Sequence, residues 1–167
     1  KSKLASLTLV SKIPLDKELL NFINGSQYLP PMVCEPMELV HNFSSGYLTH
    51  NDSLLLGSGN HHDGDLCLDV LNLMGKVALK IDDQFILNVG EEPTYDLVTQ
   101  EQKDLWKSYK NQCNKTYKLM LDYGNKFYFN HKVDKRGRVY SSGYHINPQG
   151  TSYKKALLEF AKEELVE

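Results

Sequence analysis

The chain has 167 residues, of which 41% are hydrophobic and 24% are charged, so wholesale disorder is excluded and one globular domain is expected. No apolar run approaches the roughly 18 residues of a membrane-spanning helix, and residues 1–10 are too polar for a secretion signal. The three cysteines, Cys34, Cys67 and Cys113, lack metal-ligand spacing and favour a reduced, cytoplasmic setting.

Positive charge is concentrated in one part of the chain. Residues 103–155 contain twelve Lys or Arg and three Asp or Glu, a surplus of nine, which leaves a net charge of −11 on the remainder. Such asymmetry indicates contact with a polyanion through the basic part. Dispersed, solvated charge is the alternative explanation.

The first third of the chain predicts short elements. Leucine and isoleucine spacing predicts a short helix over residues 15–23. Residues 28–36 contain paired prolines, which remove backbone donors and favour extended geometry, so we expect an extended arm that lies against a larger body. Apolar pieces around residues 46–48 and 54–56 predict strands or a meander.

Residues 57–64 are rich in glycine and predict a loop. His61, His62, Asp63 and Asp65 are the residue types that bind metals, but no second ligand cluster accompanies them. We therefore interpret the segment as a solvated loop and expect no metal there.

Apolar residues at spacings of three and four predict an amphipathic helix from about Asp65 to Asn88, ending near Gly90. An acidic connector follows it. Nothing on the apolar face of this helix suggests chemistry, so we expect the face to pack in the core.

A second long helix is predicted over about residues 99–123, because Thr99 and Gln102 form a plausible capping box and Gly124 lies near the other end. A soluble helix and an arm beside a phosphate backbone both fit its charged faces. Its predicted apolar seam comprises Leu105, Tyr109, Cys113, Tyr117 and Leu121, and its lysines are Lys103, Lys107, Lys110, Lys115 and Lys118.

Residues 127–150 combine an alternating aromatic run, a basic turn, a Val-Tyr pair and an Asn-Pro-Gln-Gly corner. The alternation predicts a strand on each side of the turn, and Gly137 permits a sharp turn or a close ligand approach. A solvated hairpin tip and a nucleic-acid contact both fit this composition. A further helix is predicted over residues 152–167.

Three motifs in this order carry a resemblance: Asp134 to Tyr140 (DKRGRVY), Asn147 to Gly150 (NPQG) and Lys155 to Ala161 (KALLEFA). They resemble the single-subunit RNA polymerases of phages and mitochondria, in which an Asp-x-x-Gly-Arg-Val-Tyr motif lies where the thumb meets the palm. The resemblance is firm over about residues 119–160 and looser over about residues 28–118.

The resemblance implies an α+β fold that is part of a right-hand polymerase. Residues 1–64 would form an N-terminal region with the extended arm and short strands. Residues 65–125 would form a helical pair that includes a short thumb, and residues 126–167 the start of the palm.

In that family the Asp-x-x-Gly-Arg motif contacts the template strand and the RNA–DNA hybrid. The resemblance implies that Arg136 and Arg138 bind phosphates, Asp134 orients a guanidinium, Tyr140 stacks on or hydrogen-bonds to a template nucleotide, and Gly137 permits close approach. Lys132 and Lys135 join these residues as expected phosphate contacts because of their charge, and not because of the motif. The expected nucleic-acid-binding residues are therefore Lys132, Asp134, Lys135, Arg136, Gly137, Arg138 and Tyr140.

The family's two metal-binding aspartates follow the Asn-Pro-Gln-Gly corner, and no suitable pair accompanies the basic turn here. We therefore expect no catalytic residue or metal ligand in this chain, and no polymerisation by the chain alone. The resemblance is strongest to the small subunit of a split, heterodimeric phage polymerase, in the host bacterial cytoplasm. A fragment of a longer polymerase is the alternative.

The split enzyme implies further molecules. Mg²⁺ would be held by a second polymerase subunit that carries the fingers and the remaining palm. Template DNA and nascent RNA would be the ligands, and promoter choice would depend on an accessory single-stranded-DNA-binding protein or on a single-stranded template. The competing interpretation is a stand-alone, non-catalytic nucleic-acid-binding protein.

Overall fold

The structure, a computed structural model, describes residues 28–57, 59 and 61–162. These residues mix helices with two small antiparallel sheets. The partial polymerase fold and its three segment boundaries stay predictions, and the helix predicted over residues 15–23 lies outside the described residues. The elements are α1 (Leu68–Gly75), β1 (Leu79–Ile81), α2 (Asp83–Asn88), α3 (Gln100–Asp122), β2 (His131–Val133), β3 (Val139–Ser141), α4 (Ser152–Ala156) and β4 (Leu158–Phe160).

The single helix predicted from Asp65 to Asn88 is wrong. The segment forms α1, then β1, then α2, because Leu79 to Ile81 pair with β4. The Asp82 side chain then caps the N-terminus of α2 by accepting the Phe85 N–H at 2.9 Å. The apolar spacing of three and four resulted from two short helices with a strand between them.

Helix α3 agrees closely with the prediction. Thr99 and Gln102 form the capping box, and the chain leaves the helix through Gly124, whose φ is +91°. The predicted seam is buried only in its middle, at Cys113 and Tyr117, whereas Leu105 and Leu121 are exposed.

The helix predicted over Ser152–Glu167 is also wrong. It ends at Ala156, and residues 158–160 form β4, antiparallel to β1 with Leu79 opposite Phe160. Leu157 explains the change, since its side chain is fully buried and its carbonyl accepts the Asp82 N–H at 3.0 Å. Residues 163–167 lie outside the described part of the chain.

Within the extended arm predicted over residues 28–36, Met32 exchanges two backbone hydrogen bonds with Tyr128, at 3.0 and 2.8 Å, so the chain is paired with the residues before β2 at that position. No strand forms at residues 46–48. Leu55 makes a single parallel bridge to Val133, so the strand predicted over residues 54–56 is reduced to one paired position.

Among the described residues the core consists of two clusters. Phe129, just before β2, belongs to the first cluster and Val133, at the end of β2, belongs to the second, so the strand is anchored in both. In the described part of the chain no helix is long and apolar enough to cross a membrane. The first cluster is Ile81, Cys113, Tyr117, Met120, Phe127, Phe129, Ile146 and Leu157; the second is Leu39, Leu54, Leu66, Leu71 and Val133.

Candidate nucleic-acid interface

The basic turn joins β2 to β3, as the alternation predicted. His131 lies opposite Ser141 and Val133 opposite Val139. Within the turn the Gly137 N–H donates to the Asp134 carbonyl at 2.9 Å, and Gly137 has a φ of +82°. Because this left-handed conformation strains residues that carry a Cβ atom, glycine is the residue suited to the position.

The Asp134 carboxylate organises the turn. Its Oδ1 accepts the backbone N–H groups of Arg136 and Arg138, both at 2.9 Å. Its Oδ2 accepts Arg138 Nε at 2.8 Å, lies 2.7 Å from Arg138 Nη2, and accepts the Tyr140 hydroxyl at 3.3 Å. The backbone hydrogen bond from Arg138, and then the guanidinium itself, lower the pKa of Asp134, so this carboxylate is ionised at neutral pH.

Arg138 is held but still accessible. Its guanidinium lies 5.6 Å from the centroid of the Tyr140 ring, and its side chain is 54% exposed. Asp134 engages Nε and Nη2, which leaves other N–H groups of the fork free of this carboxylate. The Arg136 side chain is 72% exposed, with Nε 3.5 Å from Asp134 Oδ2. The turn therefore presents two guanidinium groups oriented by one carboxylate.

The two lysines predicted from charge alone differ. Lys135 is exposed at the turn. Lys132 is only 22% exposed, and its Nζ lies 2.6 Å from Asp52 Oδ2, so an ion pair holds it against the N-terminal region. This pairing makes Lys132 a weaker candidate for a phosphate contact than the arginines.

The outer edges of the hairpin are occupied, which leaves side chains at the tip as its accessible groups. Along β2, Val133 exchanges backbone hydrogen bonds with Leu54 and Leu56, both at 2.8 Å. Along β3, the Gln149 side chain accepts the Ser141 N–H at 2.7 Å and donates to the Val139 carbonyl at 3.0 Å. Any partner of the hairpin would thus meet side chains rather than an open strand edge.

The Asn-Pro-Gln-Gly corner therefore has a local structural role that the sequence did not reveal. Besides the Gln149 contacts, Asn147 Nδ2 donates to the carbonyl of Gly143 at 2.7 Å. A Cβ atom at Gly143, where φ is +140°, would lie 2.5 Å from the Ile146 carbonyl oxygen. The corner thus closes tightly against β3 and braces the hairpin.

A buried lysine ties this corner to α3, and sequence reasoning missed it. Lys154 Nζ donates to the Tyr144 carbonyl at 2.6 Å and lies 4.9 and 5.4 Å from the centroids of the Tyr144 and Tyr109 rings. The Tyr109 hydroxyl donates to Glu91 at 3.0 Å. Burial, and then the Lys154 charge, lower the pKa of His145. We call Lys154, Tyr109 and Tyr144 the lysine clamp.

Neither the basic turn nor the histidine loop fits a pair of magnesium ions. The turn's carboxylate, Asp134, already accepts hydrogen bonds on both oxygens. His61 Nε2 lies 3.5 Å from Asp63 with both side chains largely exposed. Over residues 28–57, 59 and 61–162, no group of three or more His, Cys, Asp or Glu could hold a metal ion.

Comparison with known proteins gives a distant relative. No protein-family model matches the chain. The chain is 25% identical over 142 residues to a protein of Gelasinospora sp. (strain G114) named "Probable DNA-directed RNA polymerase". The match covers 77% of this chain but 16% of that protein, so the chain spans about one sixth of the relative's length. A distant relationship to a DNA-directed RNA polymerase is thus supported, in agreement with the coarse part of the sequence prediction.

Proposed function

We propose that this chain contributes nucleic-acid contacts to a DNA-directed RNA polymerase, with the β2–β3 hairpin gripping the template strand and the RNA–DNA hybrid during transcription. The observation that carries the proposal is the Asp134 network, which orients Arg138 while leaving it 54% exposed. The distant relative's name supports the same class of activity.

The chemistry of the turn suits a phosphate backbone. A guanidinium presents parallel N–H donors that match two oxygens of a phosphate, and orienting it in advance reduces the side-chain entropy lost on binding. Lys135, Arg136 and Arg138 against Asp134 leave a formal charge of about +2 on the turn at neutral pH. Tyr140 is engaged by Asp134 through its hydroxyl, so its ring face is the part proposed to stack on a template nucleotide.

In the same proposal, nucleotidyl transfer belongs to a partner subunit that carries the fingers, the remaining palm and the carboxylates for two Mg²⁺ ions. Large exposed apolar side chains, such as Leu87, Val98 and Leu105, support a partner because association would remove them from water. We further propose the heterodimeric polymerase of a phage, active in the host bacterial cytoplasm, with an accessory single-stranded-DNA-binding protein for promoter choice.

A stand-alone nucleic-acid-binding protein is the second candidate. The accessible guanidinium groups at the turn favour it equally, since they would bind phosphate without any catalytic partner. The two candidates differ in whether a polymerase partner and RNA synthesis accompany the binding.

The deciding experiment measures template-directed ribonucleotide incorporation by the chain alone and with the co-expressed partner polypeptide. We expect synthesis only in the pair, and a reduced rate with Arg138→Ala. Loss of one arginine–phosphate contact should weaken template binding by about 1–3 kcal/mol. Lys103→Ala, which removes one exposed cation from α3, is the matched control and should change synthesis little.

Three outcomes would count against the proposal. Synthesis by the chain alone would remove the need for a partner. Salt-dependent binding with no synthesis in any pairing would favour the stand-alone protein. Unchanged template affinity after Arg136→Ala and Arg138→Ala together would refute the role assigned to the turn.

A further inference from the structure

A second basic surface lies outside the hairpin. It is an open groove of about 770 Å³, lined by Lys76, Lys126 and Lys162 together with one acidic residue, Glu35. We call it the lysine groove. It contains none of the residues that the motifs assign to nucleic-acid binding, so it requires its own explanation.

Paired backbone holds the walls of this groove in place. Leu79 and Phe127 exchange two backbone hydrogen bonds at 2.9 Å, and the Ala161 N–H donates to the Ala78 carbonyl at 3.0 Å. The groove lysines directly flank these paired positions at Lys126 and Lys162. Three separate parts of the chain therefore meet in a hydrogen-bonded frame and direct cations to one surface.

Two of the three groove lysines form no ion pair within the described residues. Lys76 and Lys126 are exposed, and within residues 28–57, 59 and 61–162 neither forms an ion pair, in contrast to Lys132 with Asp52. Lys162 has a further interaction within the protein and is not counted as unpaired. A lysine without a carboxylate partner can bind a phosphate directly, because no ion pair must first be broken.

An exposed aromatic ring lies among these cations. Phe160, at the end of β4, lines the groove with 68% of its surface exposed. Water-exposed phenylalanine beside lysines is the combination that single-stranded nucleic acids use, since bases stack on the ring while phosphates meet the cations. An acidic peptide would use the lysines but would gain no stacking from the ring.

We propose that the lysine groove binds a single-stranded nucleic acid, with Lys76 and Lys126 contacting phosphates and Phe160 stacking on a base. This contact goes beyond the function proposed for the hairpin and does not depend on it. It gives the protein two separate places to hold nucleic acid, one at the turn and one on the β1–β4 sheet.

The test measures binding of a fluorescent twelve-nucleotide oligothymidylate to the full chain at several salt concentrations. The double variant Lys76→Gln, Lys126→Gln should bind roughly 10- to 30-fold more weakly at 0.1 M salt, with a salt slope lower by about 1.4, since each single-strand phosphate contact contributes about 0.7. Phe160→Leu should weaken binding at least about fivefold and leave the slope unchanged, because stacking releases no counterions.

The control Lys103→Gln, Lys107→Gln removes the same charge from exposed positions of α3. An equal loss of affinity in this control would overturn the proposal, because general charge would then explain the binding. An unchanged affinity and slope in the groove variant would overturn it directly. A third outcome would also overturn it: the groove variant no longer binds a twelve-residue polyglutamate peptide but binds the oligothymidylate normally. The groove would then serve an acidic protein segment.

The two proposals can fail separately. The hairpin variant Arg136→Ala, Arg138→Ala tests the turn, while the groove variant keeps the turn intact. If the hairpin variant loses RNA synthesis and the groove variant binds oligothymidylate as the wild type does, only the groove proposal is rejected. The opposite pattern would reject only the function proposed for the turn.

Discussion

Arg138 at the hairpin tip and Lys154 in the lysine clamp are both cations beside tyrosine rings, in very different surroundings. Arg138 is 54% exposed and is paired with a carboxylate, whereas Lys154 is 8% exposed and donates to a backbone carbonyl between two rings. The exposed cation retains donors that face water. The buried one has exchanged water for aromatic faces and one strong acceptor.

This difference separates recognition from structure. A cation that is to bind a ligand must give up little on binding, so orientation by Asp134 and exposure to solvent suit Arg138 to that role. A buried cation contributes to the folded state itself, since removing it leaves the Tyr144 carbonyl without its donor. We therefore expect Lys154 to matter for stability and Arg138 to matter for binding.

The largest effect is expected for Lys154→Ala, which should lower the free energy of unfolding by about 2–4 kcal/mol, measured by urea denaturation. The variant loses a charge-assisted hydrogen bond and contacts with two aromatic rings. The neighbouring Lys155→Ala removes an exposed lysine from the same helix and should change stability by no more than about 0.5 kcal/mol. Equal effects of the two substitutions would contradict the distinction between buried and exposed cations.

A smaller effect is expected at the hairpin itself. Gly137→Ala should destabilise the protein by about 1–2 kcal/mol, because φ is +82° and a side chain there is strained even though no atom lies within 4 Å of the added Cβ. Gly90→Ala is the matched control, since it also enters open space but without a positive φ, and should be neutral or slightly stabilising. Equal unfolding midpoints for both variants would show that the turn tolerates another backbone conformation.

Local signals were predictable from the sequence. The capping box at Thr99 and the glycine turn at Gly137 depend on residues within four positions of each other, so α3 and the hairpin appear where expected. Strand β1 was mistaken for helix because its partners, Phe160 and Phe127, lie far along the chain. Pairing over such distances outweighs local apolar spacing, and nothing in the spacing indicates it.

The candidate site divides in the same way. The motif resemblance implied that Asp134 orients a guanidinium, and the contact with Arg138 that the structure shows spans only four residues. The ion pair between Lys132 and Asp52, and the clamp between Lys154 and α3, join distant segments and were missed. Tyr153 followed by Lys154 and Lys155 was the available signal near the clamp, but a tyrosine beside two lysines is equally typical of an exposed amphipathic helix.

The smallest expected effect is on the stability of the protein at acidic pH. It distinguishes the hairpin, which contains the Asp134 carboxylate, from the lysine clamp, which contains no carboxylate. Hydrogen bonds from Arg138 lower the pKa of Asp134, so its native pKa lies below the unfolded value of about 3.9. Its contribution is therefore fully present above the unfolded value and is lost as pH falls through the native one. Asp134→Asn should remove this part of the acid dependence of the unfolding free energy, measured between about pH 5 and pH 2. The control Asp63→Asn changes a carboxylate whose side chain is 95% exposed, and this variant should keep the wild-type acid dependence. A wild-type acid profile in Asp134→Asn would show that the network does not stabilise the folded chain, and orientation of Arg138 for binding would then be its remaining role.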